Sequence, residues 1–89
     1  MNEQYTTLNA QIDALYAQLQ ADDGSDAQAY EQTAEALVSL QGERDELLAG
    51  LLLERYNTRF TTPIDRARSL EMARHANEQR DNRLWLKEV

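Results

Sequence analysis

AQAYEQTAEALVSLQGERDELLAGLLLERY, residues 27–56, is the stretch whose reading decides the fold. It contains no proline and holds seven of the chain's thirteen leucines, at spacings that suit a helix and not a strand. Tyr30, Ala34, Leu37, Val38, Leu40, Leu47, Leu48, Leu51 and Leu52 take the expected inward positions. The first half of this apolar surface is narrow. The second half is broad, because Leu47, Leu48, Leu51 and Leu52 cover an arc of roughly 140° at 100° per residue, with Leu53 to one side. That is wider than one neighbouring helix requires. Gly42 offers a point for a kink, at about 1 kcal/mol relative to alanine, and Gly50 offers a second such point or a place for another helix to approach. Arg44 occupies the seam where leucine is expected. One reading is an arginine that snorkels to pair with a nearby acid, and the other is a specificity contact on a binding face.

Outward from this segment, Tyr5, Leu8, Ile12, Leu15 and Leu19 recur at intervals of three and four, a heptad-type stripe that predicts a helix over residues 2–21. The run Asp22-Asp23-Gly24-Ser25-Asp26 breaks it with turn formers. Ser25, with Gln28 three places on, forms a capping box for a central helix over residues 26–56. The acids lack the spacing of a calcium loop, so a turn is the expectation. Thr62 as N-cap, Pro63 at the first helical position and Asp65 at the third predict a last helix over residues 63–83. Its inner stripe is Ile64, Ala67, Leu70, Ala73 and Ala76 or Asn77. Residues 74–83 are almost wholly polar, and Leu84-Trp85-Leu86 then supplies an aromatic anchor that folds back or inserts into a partner.

The expected fold is therefore all-α: an antiparallel helical hairpin plus a third helix, a coiled-coil-like three-helix bundle with a long central helix, in one domain of 89 residues. A tight hairpin near Gly24 would set Tyr16 against Tyr30, Ile12 against Ala34 and Leu8 against Leu37 or Val38, exhausting the first helix near Gln41. A turn near Arg59 would set Ala67 beside Leu52 and Leu70 beside Ala49. The leucines from Leu47 to Leu53 are then left with too few and too small neighbours, and a buried leucine is worth roughly 1.5–3 kcal/mol.

Composition narrows the functional classes. The chain has no cysteine, which excludes a disulfide framework, a thiolate metal site and a cysteine nucleophile. Its longest apolar run, residues 47–53, falls well short of the roughly twenty residues needed to cross a bilayer. No basic and apolar leader opens the sequence, so a cytoplasmic location is expected. The net charge of −7 is divided unevenly: residues 1–50 hold ten acids and one base, residues 51–89 eight bases and six acids. Nucleic acid is a poor target for such a chain. The asymmetry favours antiparallel contact between the two parts, within one chain or between two. Glu71, His75 and Glu78 share a helical face, yet Met72 stands where a Glu-x-x-His pair would need its acid, and a solvated face is expected instead of a metal site. No phosphate loop, catalytic triad or paired carboxylate in an apolar setting is present. No cofactor and no enzymatic activity are expected.

The segment Leu37-x-x-Leu40-Gln41-Gly42-Glu43-Arg44-Asp45-Glu46-Leu47-Leu48 resembles the flagellar export chaperones of the filament-cap type, whose second long helix commonly carries Arg-Asp-x-Leu-Leu. The resemblance covers about a dozen residues, Arg44, Asp45, Leu47 and Leu48 among them, and the chain is shorter than typical members. It implies a non-catalytic antiparallel bundle whose C-terminal helix partly shields a surface for an export client, an export component or a regulator. The expected partner surface is Arg44, Leu47, Leu48, Leu51, Leu52, Leu70 and Trp85. A structural homodimer, with the leucines covering each other, is the alternative.

Overall fold

A computed structural model describes residues 2–59 and 64–86. Three helices, α1 (Glu3–Ala21), α2 (Ala27–Arg59) and α3 (Arg66–Leu84), make an all-α bundle with no strand among the described residues. The chain divides into two compact units, residues 1–44 and residues 45–89, each a helical pairing to which α2 contributes one half. α2 continues unbroken through Gly42 and Gly50, and a Cβ at either glycine would meet nothing within 4 Å. The helix does not break at Gly42, and the space beside Gly50 where a side chain would stand is open.

Each helix begins on a side-chain cap, because the first N–H groups of a helix have no partner within it. Asn2 Oδ1 accepts from Tyr5 N at 3.0 Å. For α2 the cap is Asp26, accepting from Ala29 N at 3.1 Å, and not Ser25 as expected. Ser25 is occupied instead in the turn: its backbone N–H donates to Asp23 Oδ1 at 2.9 Å. Hydrogen bonds from Ser25, its side chain first, hold the Asp23 carboxyl below the usual aspartate range. Gly24 turns the chain with φ 78, the left-handed conformation that glycine accepts freely, and donates to Asp22 Oδ1 at 2.6 Å. For α3 the cap is Asp65, which takes Arg68 N–H at 2.7 Å, so α3 starts three residues later than expected. Thr62 and Pro63 lie outside the described residues. α2 in turn ends at Arg59, beyond the expected Tyr56, since Asn57 and Thr58 do not break a helix; the Thr58 hydroxyl bonds back to Glu54 O at 2.9 Å.

In the first unit Leu8, Ile12 and Leu37 form the buried apolar core, flanked by half-buried Tyr5, Leu15, Leu19 and Leu40. The α1 stripe is thus the one the heptad spacing predicts. Its register against α2 is not. Gln41 Nε2 donates to Tyr16 OH at 2.8 Å and Arg44 Nη1 donates to Asn9 Oδ1 at 2.9 Å, so α1 lies about two to three turns further along α2 than a tight hairpin would place it. Extended backbone at Asp22 (φ −70, ψ 131) carries the chain away before α2 begins, and residues 27–32 are all exposed as a result. Tyr30 and Val38, expected inward, face solvent.

In the second unit the fully buried positions are small or polar: Ala49 on α2, and Ser69, Ala73, Asn77 and Asp81 on α3. Those four lie at intervals of four along one ridge of α3, the i±4 row by which helices commonly pack. Asn77 Nδ2 donates to Asp45 Oδ1 at 2.8 Å across the pairing, Ser69 Oγ donates to Arg66 O at 2.8 Å, and Arg80 Nη1 meets Asp81 Oδ1 at 3.0 Å. Of the expected inner stripe, Ala73 and Asn77 are buried and Ile64 and Leu70 half-buried, while Ala67 is corrected to exposed and Asn77, not Ala76, takes the inward place. A ridge of serine, alanine and asparagine lets the backbones come close, and its polar atoms find hydrogen bonds there.

Candidate functional site: the leucine segment of the central helix

Leu47, Leu48, Leu51, Leu52 and Leu53 occupy seven residues of α2 in the second unit, and all five are half-buried. Ala49, in their midst, is fully buried. The difference follows from the pairing: the small α3 ridge draws in Ala49, and the larger leucines stand around it. At 100° per residue the five side chains point to well over half of the helix circumference, more than the α3 side of the unit can accept. Towards the end of α2, Leu51, Glu54, Arg55 and Thr58 line a shallow open groove formed by one face of the helix. Its lining offers one apolar side chain, one acid and one base.

The other expected contact residues scatter. Arg44 is 1% exposed and donates to Asn9 from inside the first unit, so it neither snorkels nor reaches a partner at the surface. Leu70 is half-buried on α3. Trp85 is half-buried and closes α3, its backbone N–H donating to Asp81 O at 2.8 Å. Leu84 and Leu86 on either side of it are exposed. Arg66 and Glu46, both exposed, form an ion pair between α3 and α2 within the second unit. A second shallow hollow on α3 is lined by Asp65, Ala67, Arg68, Glu71, Met72 and His75. Glu71 and His75 in this hollow are exposed, as is Glu78 beyond it, and the described residues hold no group of three acids or histidines arranged for a metal ion.

Sequence reasoning placed Ala73 and, as one of two alternatives, Asn77 on the inner face of α3, and missed Ser69 and Asp81. The signal was present in the repeat Ser69-x-x-x-Ala73-x-x-x-Asn77-x-x-x-Asp81. A search for apolar stripes passes over it, because three of its four members are polar.

Among the described residues no helix is long and apolar enough to cross a membrane. No family model, curated protein or solved structure matches this chain. The class that fold and site define is an all-α helical protein with a partly open leucine segment.

Proposed function

We propose that this chain is a non-catalytic helical binding protein, a cytoplasmic chaperone or adaptor of the export type that its Arg44–Leu48 segment resembles. It covers an amphipathic client helix with the leucine face of α2. The observation that carries this reading is that five leucines within seven residues are all half-open, while the fully buried positions of the same unit are Ala, Ser, Asn and Asp. Half-open leucines spaced three and four apart match the anchor pattern by which a helix is held in a groove. Leu51, with Glu54 and Arg55 beside it in the groove, offers an apolar contact and charges of both signs to orient the client.

The test is capture of a partner by the full-length chain, with Leu48→Asp and Leu51→Asp variants compared at equal helix content by circular dichroism. A captured protein that is lost with both variants, and whose binding segment is an amphipathic helix, supports the reading. Capture that ignores both substitutions would sink it. So would a dimer that resists dilution and is dissolved by Leu51→Asp, because the leucines would then be covering each other.

A further inference from the structure

We propose that the end of α3 in one copy of this chain docks on the exposed Tyr30–Ala34–Val38 stripe of α2 in a second copy. This contact does not involve the leucine face and stands apart from the client reading.

Two apolar patches are open at once. Val38 is 67% exposed and Tyr30 45%, and with half-buried Ala34 between them they lie at intervals of four on one face of α2. Leu84 and Leu86 are each 56% exposed at the C-terminal end of α3. Each is a small patch of the kind a soluble protein tolerates, and each carries a fringe of opposite sign. Glu31 and Glu35 are exposed on the same turns as the stripe. Residues 1–43 contain eight acids and no Lys, Arg or His, so the first unit up to that point supplies no side-chain cation for them. Arg83 is exposed immediately before Leu84, in the last turn of α3.

Apolar side chains with an acidic border and apolar side chains with a basic border are complementary surfaces, and one molecule possesses both. A second copy therefore brings to the stripe two leucines to cover Tyr30 and Val38, and an exposed guanidinium for Glu35 or Glu31, where residues 1–43 hold no side-chain cation and Arg44 is buried. The arginine can take a glutamate carboxylate bidentately. Because both patches are small, the association is reversible on dilution.

Light scattering or sedimentation across a dilution series tests this on the full chain. The wild type is expected to move reversibly between monomer and a larger species. Glu35→Arg and Arg83→Glu each shift the midpoint upward by about tenfold or more, since each puts like charges in contact. An equimolar mixture of the two variants restores association, as both of its cross-contacts then pair opposite charges. Val38→Asp and Leu84→Asp weaken it as well, and Leu51→Asp leaves it unchanged. All the substituted side chains but that of Leu51 are exposed, and unchanged circular dichroism verifies folding. A chain that stays monomeric at every concentration overturns the proposal. So do swaps that alter thermal stability but never mass, which would mean docking within one chain. An association removed by Leu51→Asp and indifferent to both swaps also overturns it.

Discussion

At the scale of single residues, the most consequential side chain is Arg44. A guanidinium at 1% exposure is costly to take out of water unless its N–H groups find acceptors, and Asn9 Oδ1 at 2.9 Å is one of them. Asn9→Ala is therefore expected to destabilise the chain by about 1–3 kcal/mol, read as a lower urea midpoint. Asn9→Asp, which keeps an oxygen in place and adds charge, should retain or raise stability. Equal losses in the two variants would show that the amide acts by packing alone. Position 44 was legible in the sequence as an anomaly on a leucine seam. Its partner was not, because a sequence periodicity locates a face and leaves open which residue of another helix lies opposite.

At the scale of elements, α2 carries two glycines that serve no turn. Gly42 and Gly50 are exposed inside a continuous helix with empty space around each missing Cβ, so alanine at either should raise stability by about 0.5–1 kcal/mol, measured by thermal or urea unfolding. Gly24→Ala should do the reverse, since φ 78 strains an L side chain. If Gly50→Ala stabilises the chain yet lowers partner capture, a client helix passes close to that position. Helix existence was readable from leucine spacing and scarce breakers in all three cases. Caps were less so: Asp26 and Asp65, one place after and three places after the positions expected to cap, hold the free N–H groups. Where several oxygen-bearing side chains lie in a row, local geometry selects among them, and at α2 Ser25 was already engaged with Asp23.

For the molecule as a whole, the decisive property is the division of charge between an acidic front and a basic end. Two modes of self-association can be told apart by salt. A contact fringed by Glu31, Glu35 and Arg83 should weaken as ionic strength rises, because the Debye length falls from about 10 Å at 0.1 M to about 3 Å at 1 M. A dimer closed leucine against leucine should hold or tighten under the same change. The dilution midpoint measured at low and high salt gives the answer directly.

Leucine spacing, the scarcity of proline and glycine, and the clustered turn formers determined by themselves that this chain is three helices with a long middle one, because helix formation responds to local periodicity and local caps. They also marked residues 47–53 as carrying more apolar surface than one neighbour needs. Tertiary structure alone decided the register of α1 on α2, the burial of Arg44, and the extension of the α3 ridge through Ser69 and Asp81. Those outcomes depend on which side chains meet across the pairing. A close approach of small residues and a few buried hydrogen bonds outweighs the apolar stripe that a single helix displays in isolation.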